Sequence, residues 1–111
     1  MKLYLDTSTD IVKLRLDDQN YEWHPERGRM AEGIFRFIYD KLHENSADWP
    51  EITEITYFSG PGSFTGLRIG AAIVNTLADQ LQIPLYDHHG IRHQLILPDY
   101  GRPANISKPR K

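Results

Sequence analysis

The stretch 59-SGPGSFTGLRIGAAI-73 is the part of this sequence best suited to chemistry. Gly60, Pro61, Gly62 and Gly66 crowd into one short loop, and an apolar helix-like run follows at once. A strand leading through a glycine loop into a helix is the outline of an anion site, because free N–H groups at a helix N-terminus favour a phosphate. A phosphate-binding P-loop also needs a lysine followed by serine or threonine, and none is present here. The dinucleotide pattern G-x-G-x-x-G fits only in its first half. Gly60 and Gly62 match, Thr65 stands where the third glycine belongs, and Gly66 comes one position late. The loop also explains itself as a turn: Pro61 fixes the backbone, and Ser63 or Thr65 caps the helix. Two readings stay open, a close-packed turn as the first and a ligand contact as the second.

Other residues with chemical capacity are scattered. The run 88-HHGIRH-93 places His89 and His93 four apart, a metal-ligand spacing on a helix, but Gly90 interrupts it and only Asp87 is close by. A solvated loop is the better reading, and no metal site is expected. Trp23 and Trp49 sit beside turns and read as edges of a core. Arg102, Lys108, Arg110 and Lys111 make the segment 101-GRPANISKPRK-111 basic, which suits either RNA phosphates or simple solubility.

The elements that must position these residues follow from pattern. The chain has 111 residues, enough for one domain with one core. Its formal net charge of -2 gives no global argument for nucleic-acid binding, and the absence of cysteine excludes disulfides and thiolate catalysis. No apolar run approaches the ~20 residues of a membrane span, and 1-MKLYLDTSTD-10 is too short in apolar residues for a signal peptide, so a cytoplasmic protein is expected. Residues 2–6, 11–16 and 21–24 read as strands. The cluster 6-DTSTD-10 and residues 17–20 turn the chain between them, an antiparallel meander. Met30, Ile34, Phe37, Ile38 and Leu42 recur at helical spacing, and 44-ENSADWP-50 ends that helix. A β-branched and aromatic strand over 52–58, a second helix over 63–81 and a short strand over 83–87 complete an α/β order.

The second helix is unusual. Gly66 and Gly70 each cost about 1 kcal/mol relative to alanine, so a close contact is expected there. The partner is this protein's own sheet or first helix on the first reading, another chain on the second. Apolar residues occupy more than one side of both helices: Ile69 and Ile73 lie off the Leu67–Ala71–Val74 stripe, and Phe35 and Tyr39 off the Ile34–Phe37–Ile38 stripe. One apolar face per helix is enough for a single core, and the surplus points to an interface.

These residues carry a resemblance. The segment 59-SGPGSFTGLRIG-70 resembles the signature loop and helix of the TsaB (YeaZ) family, accessory proteins in making threonylcarbamoyladenosine on tRNA. Outward, 3-LYLDTST-9 and 77-LADQLQIPLYD-87 resemble that family's first strand and the end of its second helix. The resemblance covers residues 1–90, one of the family's two lobes, and leaves 91–111 as an unmatched segment. It implies a single ribonuclease-H-like (actin-like ATPase) lobe with a mixed five-stranded sheet, order 3-2-1-4-5, and two main helices. It also implies that Asp6, Thr7 and Ser8, with Gly60, Gly62 and Ser63, lie where such folds contact a phosphate. ATP is expected there only with a partner lobe, and no cofactor in the lobe alone; by itself 6-DTST-9 reads as a hairpin turn. Ribonuclease-H topology raises the question of nuclease chemistry, yet of Asp6, Asp10, Asp17 and Asp18 only Asp6 is well placed. The implied role is therefore non-catalytic. It is a scaffold docking a TsaD-like catalytic subunit through Met30, Gly33, Ile34, Phe37, Gly66, Ile69, Gly70 and Ile73. A TsaE-like ATPase joins the assembly, tRNA is met only indirectly, and no membrane is involved. The alternatives are a self-associating homodimeric lobe, or a nucleotide-binding component that completes a cleft with another chain. Two departures lie on the docking helices: Arg27 and Gly28 replace a usual His-Ser pair, and Asn75 and Thr76 make the second helix more polar than the family pattern.

Overall fold

Three short strands open the chain because apolar and polar residues alternate along them and tight turns return each on the last. A computed structural model of the chain describes residues 1–99. Strands β1 (Lys2–Asp6), β2 (Val12–Leu16) and β3 (Gln19–Trp23) form the antiparallel meander expected from the sequence. In β2 the alternation is complete: Val12, Leu14 and Leu16 are buried and Lys13 and Arg15 are exposed. The β2–β3 turn is tighter than the sequence suggests. Leu16 pairs with Gln19, so Gln19 and Asn20 belong to β3 and only Asp17 and Asp18 turn. Asp17 takes a left-handed φ of 53°, and its carboxylate accepts the Lys2 N–H at 2.8 Å.

Helix α1 (Met30–Glu44) buries Ile34, Phe37, Ile38 and Leu42, the stripe read from the sequence. The 44–50 segment then leaves it through a short 3-10 turn, Trp49–Glu51, with a capping box: Asp48 accepts from Trp49 N–H and Glu51 accepts from Asp48 N–H, both at 2.8 Å. Strand β4 (Glu54–Tyr57) pairs parallel with β1, helix α2 (Phe64–Leu81) follows, and β5 (Leu85–Asp87) pairs parallel with β4.

The sheet has six strands in the order β3-β2-β1-β4-β5-β6, which keeps the expected 3-2-1-4-5 and adds one. The addition, β6 (Arg92–His93), pairs antiparallel with β5. Sequence pattern misses a two-residue strand because it is too short to show alternation. The described lobe thus continues past Gly90. One core lies between the sheet and the helices, built from Leu3, Leu5, Leu14, Ile55, Tyr57 and Leu85 against Ile34, Ile38, Val74 and Leu77. Each such side chain removed from water contributes about 1.5–3 kcal/mol. The parallel strands β1, β4 and β5 all end toward the glycine loop, the edge of an α/β sheet at which ligands usually bind.

Candidate functional site

At the end of β1 the Asp6 carboxylate is turned onto its own loop. One oxygen accepts the Ser8 N–H at 2.8 Å and the Ser8 hydroxyl at 2.6 Å. Thr7 is completely buried, and its hydroxyl donates to the Gly66 carbonyl at 2.7 Å. The glycine loop comes to meet this turn. Ser63 N–H donates to the Ser8 carbonyl at 2.9 Å, and the Ser63 hydroxyl caps α2 by accepting the Gly66 N–H at 3.2 Å. So Asp6, Thr7, Ser8 and Ser63 are brought together, with Gly62 against Ser8, while Gly60 lies against Asp99 and Leu67.

The space between the two loops is filled by the loops themselves. A Cβ on Gly62 would lie 2.6 Å from Ser8 Cβ, and one on Gly66 would strike the Thr7 carbonyl oxygen. A Cβ on Gly70 would overlap Thr7 Oγ1 and Tyr57 OH. Gly60, with a φ of 123°, faces the Asp99 carbonyl on its other side. Several donors at this contact are spent within it. The Ser8 donors go to Asp6, the Gly66 N–H goes to Ser63, and the Thr7 hydroxyl is enclosed. The glycines serve close approach of helix and turn, which is the first of the two readings of this loop.

The outer side of the helices is different. Ala31, Thr65, Arg68, Ile69, Ala72 and Ile73 line a shallow groove of about 460 Å³ between α1 and α2. It runs into a second, more polar groove of about 650 Å³ toward the loops, lined among others by Asp10, Glu26, Arg27, Met30 and Ser63.

A family model described as TsaD, tRNA N6-adenosine threonylcarbamoyltransferase, matches residues 28–97. The chain belongs to the TsaD and TsaB (YeaZ) family. It is 31% identical over 86 residues to the tRNA threonylcarbamoyladenosine biosynthesis protein TsaB of Escherichia coli, covering 75% of this chain and 37% of that protein. It is 39% identical over 66 residues to the tRNA N6-adenosine threonylcarbamoyltransferase of Pyrobaculum islandicum, covering 59% of this chain and 19% of that protein. The solved structure of YeaZ from Pseudomonas aeruginosa superposes with a TM-score of 0.65 at 31% identity, over 78% of this chain and 43% of that one. This chain therefore spans well under half the length of the relatives it matches.

Against the TsaB pattern, several expected interface residues fall elsewhere. Ile34 and Phe37 lie in the core and are not presented to another chain. Phe37 stacks on Trp23 with ring centroids 5.6 Å apart, and Gly33 makes room for the same indole. Gly66 and Gly70 are buried under Thr7 and Tyr57. The periodicity is right in each case, but it marks the inner face. Met30 and Ile69 are half-buried and edge the outer grooves, while Ile73 is a buried core residue that also forms part of the wall of one of them. Phe35 is exposed, with its ring edge-on to Trp49 at 6.1 Å.

The histidine run does not form a metal site. His93 Nε2 lies 2.8 Å from Asp87 Oδ2, while His89 stacks on His88 with centroids 4.1 Å apart. Among the described residues no three potential ligands gather. Asp87 is instead a structural anchor, accepting the His89 and Ile91 N–H groups on its other oxygen at 2.8 and 3.0 Å. Burial works to raise its pKa, and the bonds from His93, Ile91 and His89 with the His93 charge outweigh that and hold it at about 2.

Asn75, a departure from the family pattern, has a clear use. Its amide donates to the Ile96 carbonyl at 3.0 Å and accepts the Ile96 N–H at 2.8 Å. That pair of bonds straps residues 94–99 onto α2 and drives Ile96 into the core at 1% exposure, with Leu95 and Leu97 outside. The strap ends at Asp99, whose N–H donates to the Ser59 carbonyl at 2.6 Å. The basic segment carrying Arg102, Lys108, Arg110 and Lys111 lies outside the described residues.

Proposed function

We propose that this chain is a non-catalytic docking subunit in the formation of threonylcarbamoyladenosine on tRNA. It binds a TsaD-type catalytic protein through the outer groove between α1 and α2. The observation that carries the reading is the groove itself. Ile69 and Ala72 on α2 and Ala31 on α1 make a shallow apolar strip, with the core residue Ile73 as part of its wall. Small side chains there let a partner helix approach closely, and Arg68 at the rim offers a charge to fix its register. The functions of the TsaB and TsaD relatives supply the pathway. The closed contact between the Asp6–Ser8 turn and the glycine loop supports a non-catalytic role for this lobe. On this reading the protein acts in the cytoplasm, the catalytic partner handles the tRNA chemistry, and a TsaE-like ATPase joins the assembly. In the partner's absence two copies meet through the same groove.

Light scattering of the chain mixed with the TsaD-type protein from the same source tests this. A stable complex is expected, and Ala72→Asp, a substitution at an exposed helix position, disperses it with the circular dichroism spectrum unchanged. A complex indifferent to Ala72→Asp would place docking elsewhere, and no complex at all would overturn the reading.

A further inference from the structure

Among the described residues only one face of the sheet is covered by helices. That face carries the core side chains of β1, β2, β4 and β5, and Ile96 packs into the same core. The other face carries the alternate residues, and the strand registers align five of them in a single row across the sheet. Arg15 of β2 stands opposite Tyr4 of β1, Tyr4 opposite Thr56 of β4, Thr56 opposite Tyr86 of β5, and Tyr86 opposite Arg92 of β6. One step toward the ends of the parallel strands, Phe58 and His88 sit side by side with ring centroids 4.4 Å apart. The four rings are half-buried, so they expose part of their surface, while both arginines are exposed. The Arg15 guanidinium already lies over the Tyr4 ring, 4.8 Å from its centroid.

The charge on this face is arranged and not merely mixed. Asp6 and Glu22 flank Lys13 across the ladder, and Glu54 stands opposite Lys2. Arg15 and Arg92 have no carboxylate opposite them and make no ion pair with another described residue. Neighbouring strands lie about 4.8 Å apart, so the tyrosines are about 10 Å apart and the arginines about 19 Å apart. An apolar helix is a poor cover for such a face, because it would strip water from the two arginines without pairing them. A strand of splayed bases suits it better. Aromatic rings on a sheet stack two or three bases, and guanidinium groups pair with phosphates.

We propose that the open face of the sheet is a platform for single-stranded nucleic acid, with bases stacked on Tyr4, Tyr86 and the Phe58–His88 pair and phosphates held by Arg15 and Arg92. This is a direct contact that the family resemblance does not supply, and it does not depend on the docking groove, which lies on the opposite side of the lobe.

The test is fluorescence anisotropy of the full chain with labelled decauridylate, decathymidylate and a ten-base-pair duplex. Binding to a single strand is expected to fall with salt at a log–log slope of about -1.4, from two phosphates at about -0.7 each. Tyr4→Leu with Tyr86→Leu keeps apolar cover and removes the rings, and weakens binding about tenfold or more. Tyr4→Phe with Tyr86→Phe retains it, and Arg15→Gln with Arg92→Gln flattens the salt slope. Preference for the uridylate identifies RNA as the ligand, and equal binding of both strands identifies single-strandedness alone; either supports the proposal. Absent binding, a preference for the duplex, or unchanged affinity in the leucine variant overturns it. So does loss of binding only when Arg102, Lys108, Arg110 and Lys111 are replaced by alanine, since that would assign the contact to the basic segment.

Discussion

Thr7, completely buried at the end of β1, donates its hydroxyl proton to the carbonyl of Gly66 in the first turn of α2 at 2.7 Å. Tyr57 does the same for the next carbonyl, Leu67, at 2.8 Å. The two hydroxyl oxygens lie 3.0 Å apart. Each hydroxyl has one proton, so the pair can satisfy both carbonyls only if neither spends its proton on the other. The strand, the turn and the helix are therefore locked at one point, with Thr7 reaching Tyr57 and Gly66 across fifty or more residues of sequence.

That lock gives a mutational cycle. Thr7→Val keeps the shape and removes the hydroxyl, and is expected to cost about 0.5–1.5 kcal/mol, the net value of a neutral hydrogen bond. Tyr57→Phe is expected to cost a similar amount. Since each hydroxyl serves its own carbonyl and neither donates to the other, the double variant should cost about the sum. Urea titration measures all three. A double cost well below the sum would mean that the two hydroxyls share a proton in the wild type.

Gly70→Ala follows from the same site. Replacing a helical glycine gains about 1 kcal/mol in helix propensity, but the new methyl group would overlap Thr7 Oγ1 and Tyr57 OH. Both atoms are tied to carbonyls and cannot swing away, so overpacking wins, and a net loss of about 1–3 kcal/mol is expected. Partner binding should then fall only as far as the folded fraction falls. An alanine variant as stable as the wild type would show that the close approach is not what demands glycine.

The strap makes a third prediction. Asn75→Leu leaves the Ile96 N–H and carbonyl without their partner in a buried position, at a cost of about 1–3 kcal/mol. Amide exchange should quicken first at Ile96 and its neighbours, ahead of β1 and β4. Ile96→Ala removes a core side chain and is expected to cost about 2–5 kcal/mol. If exchange at Ile96 stays as slow in Asn75→Leu as in the wild type, the strap is held by packing alone.

These sites show what was legible in the sequence. Alternation in Val12–Leu16 and helical spacing in Ile34–Leu42 gave the elements, because each depends on neighbours along the chain. The glycine loop announced a close approach through Gly66 and Gly70, but the sequence did not name the partner. Thr7 looked like an ordinary turn residue, and its burial depends on a helix dozens of residues away. The family resemblance put Ile34 and Phe37 on the docking surface, and apolar spacing alone does not say which side of a helix faces in. Asn75 read as a stray polar residue, since its partner, the Ile96 backbone, has no side-chain signature. The β6 strand and Asp87 were missed for the same reason: a carboxylate that holds backbone N–H groups leaves no pattern in residue types. The row on the open sheet face needs register, which sequence alone does not fix.

Asp87 gives a pH dependence with a definite sign. Its pKa is held at about 2 in the folded chain, below the ordinary 3.8, because bonds from His93, Ile91 and His89 outweigh the opposing effect of burial. A carboxyl whose folded pKa is depressed contributes stability that is complete above its unfolded value and is lost as pH falls through its folded one. The contribution is therefore full above about pH 4 and disappears by about pH 2. Asp87→Asn keeps an oxygen for the His89 and Ile91 N–H groups but cannot titrate or carry charge toward His93. The variant should be less stable than the wild type at pH 5, and the gap should close between pH 4 and 2, read as urea midpoints at each pH. A gap that stays constant across that window would mean the Asp87 carboxylate does not favour its charged form in the fold. Leu85→Ala, a core truncation one strand position pair away, serves as the control, since its cost should not follow that window.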